Sequence, residues 1–269
     1  MSAFITEIVL FIKPPIFPKK GINYKGKFYF SQGFPYNNKM IKAIIFDLDN
    51  TLLDFYRMKE EAVKYAVEAM IDAGLRIPKD VCYNKIFELY EREGIEDQKI
   101  FDKFLMETLG YIDYKIHAAG IVAYRKAKST SLVLYPNTQY TLITLIKKGI
   151  KLGVVTDAPR LQAWTRLVQL NLHHFFDVVI TFDDTGELKP SPKPFVLALE
   201  KLNVKPEEAI MVGDWPERDI LGGAKIGMKT VFAKYGDIFG TKDSGADFEI
   251  NDIRELIDIV EKLNNEDRD

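Results

Sequence analysis

The sequence predicts a doubly wound parallel α/β core interrupted by a helical insertion, and three observations carry that reading. From Ile41 onward, short apolar runs alternate with amphipathic helical stretches, the pattern that builds a parallel sheet covered by helices. One interval, residues 55–132, breaks the alternation and has helical periodicity alone. The composition is that of a globular chain: of 269 residues, 47% are apolar and 28% charged, which excludes collagen-like, disordered and disulfide-scaffold classes.

Residues 1–39 are rich in Pro, Gly, Lys and aromatics without helical or alternating period, and read as an appended or mis-started segment ahead of Met40. Their longest apolar run ends at Ile12, far short of the roughly 18 to 20 residues of a membrane-spanning helix. Lys13, Pro14 and Pro15 follow it where a secretory signal would place small residues. Gly21, Gly26 and Lys27 match most of a G-x-x-x-x-G-K phosphate loop, but Phe28 occupies the Ser/Thr position and Phe28-Tyr29-Phe30 reads as extended. The match is read as a coincidence.

The core is expected in residues 40–54 and 133–264, with buried strands at 41–46, 151–156, 178–181, 209–213 and 230–233. Asn137 is placed to cap a helix that runs to Lys147-Lys148, with Gly149 as its stop. Further helices are expected at 160–170, 194–202, 217–226 and 252–263, and residues 265–269 form a polar tail, with fraying from Asn264 on. Within the insertion, Gly74, Pro78, Gly94 and Gly110 divide the helical pattern into four helices. Met58, Ala62, Tyr65, Ala66 and Ala69 share one predicted face, and Ile86, Leu89 and Tyr90 another, as in a small bundle.

Thirty-seven Lys plus Arg against 39 Asp plus Glu give a formal charge of -2, no field to hold a polyanion. Nucleic acid and membrane are therefore not expected as partners. The single cysteine, Cys82, cannot form an internal disulfide, so the cytoplasm is the expected compartment, with monomer and homodimer both left open.

Open α/β sheets bind ligands at the carboxyl ends of their strands, and there the chain places its acidic groups. The first strand runs into Asp47-Leu48-Asp49-Asn50-Thr51, the second into Thr156-Asp157, and the fourth into Gly213-Asp214, with Asp219 shortly after. Lys189 lies in Leu188-Lys189-Pro190-Ser191-Pro192. Buried carboxylates without neutralisation cost several kcal/mol, so a cation is expected among them, and oxygen-only ligands point to Mg²⁺. The three histidines, His117 and the pair His173-His174, cannot form a zinc-type cluster. Asp47 suits a carboxylate nucleophile that attacks phosphorus. Asp49, raised in pKa by its neighbour, suits the acid that protonates the leaving alkoxide and then the base that activates water. Lys189 and Thr156 suit stabilisation of the transferred phosphoryl group.

These residues, in this order, resemble the four motifs of the haloacid dehalogenase superfamily, over residues 40–250. Asp47 to Thr51 fit its D-x-D-x-T motif, Thr156 its hydroxyl motif, Lys189 its lysine motif, and Gly213-Asp214 with Asp219 its acidic motif. The resemblance implies a Rossmann-like core and a four-helix cap, residues 55–132, of the type found in phosphoglycolate phosphatase. It also implies Mg²⁺ held by Asp47, the main-chain carbonyl of Asp49 and Asp214, with Asp219 assisting. Trp215-Pro216 and Asp157 depart from the residues usual in relatives. The expected activity is a Mg²⁺-dependent phosphatase of small phosphomonoesters working through phospho-Asp47. Arg160, Asp157 and the basic group Arg125, Lys126 and Lys128 are candidates to meet substrate, although a solvent-facing role also explains the basic residues. Three alternatives stay open at this point: a phosphomutase, a 2-haloacid dehalogenase, against which Asp49 argues, and a receiver-like phospho-acceptor module.

Overall fold

A computed structural model describes residues 40–266. The expectations for residues 1–39, including the glycine–lysine match, and for the last three residues lie outside them.

Six strands form one parallel sheet: β1 (Ala43–Phe46), β2 (Lys151–Val155), β3 (Val178–Ile180), β4 (Ala209–Gly213), β5 (Lys229–Ala233) and β6 (Phe248–Ile250), in the order β3-β2-β1-β4-β5-β6. All neighbours run parallel, and β1 lies centrally, with Phe46 level with Val154 on one side and Val212 on the other. The expected strands are all present: the first three are shorter by a residue or two, β4 has the expected bounds, and β5 begins one residue earlier, at Lys229. The sixth, Phe248–Ile250, was not expected, because its sequence, Phe-Glu-Ile, pairs only at the sheet edge and carries a charge in three residues.

Alternate residues of the buried strands face opposite helical layers. Ile44, Phe46, Leu152, Val154, Ile210 and Val212 pack with Leu142 and Leu145 of α5 (Thr138–Lys147), Ala163 and Leu167 of α6 (Arg160–Gln169), and Leu256 and Val260 of α10 (Glu255–Glu266). Ala43, Ile45 and Met211 pack with Phe195, Ala198 and Leu199 of α8 (Pro192–Leu202). Between them run a single helical turn, α7 (Phe182–Thr185), and the short α9 (Leu221–Lys225).

Three local expectations are corrected. Asn137 precedes α5 but makes no side-chain cap: it adopts φ 63°, and its amide donates to Asp252 Oδ2 at 2.7 Å. The helix expected over 217–226 opens instead as a π-turn over Pro216–Ile220 before α9. α10 extends past Leu263 to Glu266, and Asn264 is not frayed, since its Oδ1 accepts from the Ile41 amide at 2.7 Å and ties the helix to the entry of β1.

Four helices lie between β1 and α5: α1 (Phe55–Asp72), α2 (Lys79–Glu93), α3 (Ile100–Leu109) and α4 (Tyr114–Ser131). They end where the sequence breaks them, with Gly110 in the left-handed region closing α3 and Asp54 capping α1 through the Arg57 amide. Their own core contains Val63, Ala66, Val67, Met70, Ile86, Leu89, Phe101, Phe104 and Leu105. Tyr65, expected on the inner face, is exposed; the buried stripe of α1 runs instead through Met58, Ala62, Val63, Ala66, Val67 and Met70. At Gly120 a side chain would collide with Met70, so the absence of one lets α4 close on α1. The two chain crossings into this insertion run side by side: Leu53 bridges Leu134 antiparallel, Asp54 N donates to Val133 O at 3.0 Å, and Tyr135 N to Leu52 O at 3.1 Å.

Candidate active site

The loop after β1 is built to hold two carboxyls in fixed directions. Asp47 N continues the sheet ladder by donating to Val212 O at 2.9 Å. Asn50 then turns left-handed, φ 59°, a conformation that asparagine tolerates, and its side chain accepts from the Tyr56 amide at 2.9 Å. Thr51, fully buried, donates its hydroxyl to Asp214 Oδ1 at 2.8 Å and accepts on its carbonyl from Tyr235 Oη at 2.7 Å. Gly236 lies so close that an added Cβ would stand 1.7 Å from the Asn50 carbonyl oxygen.

Lys189 draws the scattered acids together. Its buried ammonium donates to Asp47 Oδ1 at 2.5 Å, Asp219 Oδ1 at 2.6 Å and the Val155 carbonyl at 3.2 Å. The π-turn explains how Asp219 arrives there: its other oxygen accepts from the Trp215 amide at 3.1 Å, and a side chain at Gly213 would occupy the space it fills. Asp47, Asp214 and Asp219 can each bring a carboxylate oxygen within 4.8 Å of the others. Three buried carboxylates face one ammonium, and the imbalance shows in their acidities. Burial raises the Asp47 carboxyl despite Lys189, raises Asp214 well above the ordinary range, and pushes Asp219 up to about 7. Burial also works against the Lys189 charge, but Asp219 and Asp47 outweigh it and hold the ammonium above its ordinary range. An all-oxygen donor set short of positive charge fits a hard divalent cation.

Asp49 stands apart from the three. Its Oδ2 accepts from Arg166 Nη1 at 2.6 Å, while Oδ1 is buried without a hydrogen-bond partner. Burial pushes its carboxyl up to about 7, with Arg166 opposing and Asp47 adding to the rise. Thr156 is buried at the end of β2, its amide donating to Ile180 O at 2.9 Å and its hydroxyl oxygen accepting from the Ala158 amide at 3.1 Å, which leaves the hydroxyl proton free to donate.

Two expected substrate contacts are engaged by protein partners. Asp157 accepts from the Lys189 amide at 2.9 Å and from Arg218 Nη1 at 3.1 Å, so it fastens the lysine loop to the π-turn. Arg160 is engaged by two acids of α7: its amide donates to Asp183 and its guanidinium to Asp184 Oδ1 at 2.8 Å. Of the basic group, Arg125 and Lys126 are exposed, whereas Lys128 is half-buried with its ammonium lowered by burial and by Arg166. His117 pairs with Asp102 at 2.5 Å and the His173 and His174 rings lie against each other at a tilt of 46°, with none in the acidic cluster.

Arg166 and Lys59 were not singled out from sequence. Arg166 is 2% exposed and also donates to Glu96, in the loop between α2 and α3, through Nη2. Lys59 of α1 is buried among the rings of Tyr90, Tyr124 and Phe55, donates to Tyr124 Oη at 2.9 Å, and has its ammonium pulled down to about 7 by burial. A signal for both existed, a cation on the apolar face of an amphipathic helix, beside Ala163 and Leu167 in one case and Met58 and Ala62 in the other.

A nest of this composition at the carboxyl edge of a parallel sheet is what an aspartate-based hydrolase needs. Residues 44–233 match the haloacid dehalogenase-like hydrolase family, and the chain belongs to it. A glyceraldehyde 3-phosphate phosphatase of Pyrococcus furiosus is 38% identical over 234 residues, covering 86% of this chain and 98% of that protein. One of Methanopyrus kandleri is 39% identical over 230 residues, covering 83% and 99%. Among solved structures, a HAD phosphatase from Thermococcus onnurineus aligns with TM-score 0.61 and 31% identity over 82% of this chain and 98% of its own.

Proposed function

We propose that the protein is a divalent-metal-dependent phosphatase of small phosphomonoesters, with glyceraldehyde 3-phosphate the first substrate to test. The observation that carries the reading is the Lys189 ammonium shared between Asp47 and Asp219, with Asp214 alongside. Asp47, the Asp49 main-chain carbonyl and Asp214 would hold Mg²⁺, with Asp219 behind them, and the ion would supply charge neutralisation for the substrate phosphate. An Asp47 carboxylate oxygen attacks phosphorus as the bond from phosphorus to the ester oxygen breaks. The Asp49 carboxyl gives its proton to the departing alkoxide. Asp49, now a carboxylate, takes a proton from water; the water oxygen attacks phosphorus, the bond to Asp47 breaks and orthophosphate leaves. Lys189 and the Thr156 hydroxyl stabilise the charge on the transferred group.

The helical insertion, residues 55–132, acts as the cap that excludes bulk water, and Glu96 and Phe55 are among its contacts with the core side of the site, both through Arg166. A small soluble ester, rather than nucleic acid or membrane, fits the near-neutral charge of -2, and no helix among the described residues is long and apolar enough to cross a membrane. Action in the cytoplasm follows the same reading. A receiver module is disfavoured because its sheet order is 2-1-3-4-5, against the six-strand order here. A dehalogenase is disfavoured because it needs no second carboxyl at Asp49.

The test is a phosphate-release screen over triose phosphates, sugar phosphates, phosphoglycolate and nucleotides. The wild type releases phosphate from at least one in the presence of Mg²⁺, and Asp47→Asn, folded by circular dichroism, releases none. Turnover retained by Asp47→Asn refutes the nucleophile.

A further inference from the structure

Arg166 heads the largest fully buried side chains, on a helix whose inner face is otherwise Ala163 and Leu167. Burying a guanidinium costs several kcal/mol unless its partners compensate, so the identity of those partners is informative. They come from three separate segments. Asp49 belongs to the loop after β1, Glu96 to the loop between α2 and α3, and the Phe55 ring, 4.3 Å from the guanidinium carbon, opens α1. One guanidinium therefore touches the acid–base carboxyl and the insertion at once.

The way in which Asp49 is held is equally specific. An arginine that only neutralises a carboxylate commonly takes both oxygens in a fork. Here Nη1 takes Oδ2 alone, and Oδ1 is left buried and unpartnered. A carboxyl tethered by one oxygen, with the other dry and free, has the geometry of a group about to exchange a proton with something that is not protein. Nη2 is committed to Glu96, so the plane of the guanidinium is fixed only while the insertion is docked.

On the phosphatase reading above, we propose that Arg166 is a positioning residue for the acid–base step, holding Asp49 by Oδ2 and leaving Oδ1 directed at the ester oxygen, with Glu96 making that alignment dependent on the docked insertion. Arg166 forms and breaks no covalent bond; the proton still passes between Asp49 and the leaving oxygen. A residue acting this way matters most when the leaving group needs a proton, and least when it departs readily as an anion.

The experiment measures kcat/KM for an alkyl phosphate and for p-nitrophenyl phosphate in wild type, Arg166→Met, Glu96→Gln, Asp49→Asn and the double variant Asp49→Asn/Arg166→Met. Arg166→Met should lose on the order of 10² on the alkyl ester and only a few-fold on the nitrophenyl ester. In the Asp49→Asn background the same change should cost little more, because both substitutions remove one function. Glu96→Gln, which keeps Arg166 in place, should show a smaller loss with the same preference for the alkyl ester, and it decides the matter if Arg166→Met does not fold. Equal losses on the two esters, independent losses in the double variant, or no loss at all overturn the inference and leave Arg166 a packing or phosphate-binding group. If wild type hydrolyses neither ester nor any substrate of the screen, the phosphatase reading itself falls and takes this inference with it.

Discussion

Removing the divalent cation should make the stability of this protein decline as pH rises, and restoring the cation should reduce that slope. Asp219 gives the magnitude. Without a metal its carboxyl moves from an ordinary 3.8 to about 7, burial being the main cause and Lys189 offsetting only part of it. A folded-state value above the unfolded one means that the folded chain binds the proton more tightly. The stability this contributes is intact below pH 3.8 and is lost as pH climbs to about 7. About three pH units, at roughly 1.4 kcal/mol each, come to about 4 kcal/mol. Asp47 and Asp214, raised by the same burial, act in the same direction. Urea unfolding followed by circular dichroism, in chelator and in excess Mg²⁺ from about pH 5 to pH 8, reads the effect. In chelator, stability should drop by about 3 kcal/mol across that window from Asp219, the remainder being lost below pH 5; in Mg²⁺ the carboxylates gain a counter-charge and the drop should shrink. A flat or rising profile in chelator would refute the electrostatic account of the site, as would an identical slope with the metal bound.

Two other substitutions probe the loop after β1. Asp49→Asn should slow turnover on an alkyl phosphate by on the order of 10² to 10⁴ while leaving the fold unchanged, and wild-type rates at every pH would remove its acid–base role. Gly236→Ala should cost about 1–3 kcal/mol and lower activity together, because its Cβ would press on the Asn50 carbonyl 1.7 Å away and on Asp214; a variant with native melting temperature and turnover would contradict the crowding.

Much of the core was legible because its information is local. An apolar run such as Ala43–Phe46 declares a buried strand, and the glycines and Pro78 that divide residues 55–132 fall between the helices that form. Asp47, Asp214 and Asp219 could be named because each sits at or shortly after a strand end, and strand ends converge in a parallel sheet, whereas Lys189, in the loop ahead of α8, was marked by its Lys-Pro-Ser-Pro setting. Partnerships were harder to foresee. Arg160 stands nearer in sequence to Thr156 than Arg166 does, yet Asp183 and Asp184 claim the first, and the second reaches Asp49. Glu96 carries no mark at all: a carboxylate in a polar loop becomes informative only once the insertion folds and brings it to Arg166. The π-turn was invisible for a similar reason, since what favours it is Asp219 reaching back to the Trp215 amide and across to Lys189.

The paired crossings at Leu53 and Leu134 have an evolutionary consequence. Because the chain departs and returns through adjacent, mutually hydrogen-bonded segments, the sheet perceives the excursion as little more than a loop. Such a stalk lets the whole helical bundle be lengthened, shortened or exchanged without re-registering a single strand. Under the proposed function, changes to that bundle would alter which ester is admitted while the residues gathered around Lys189 stay in place.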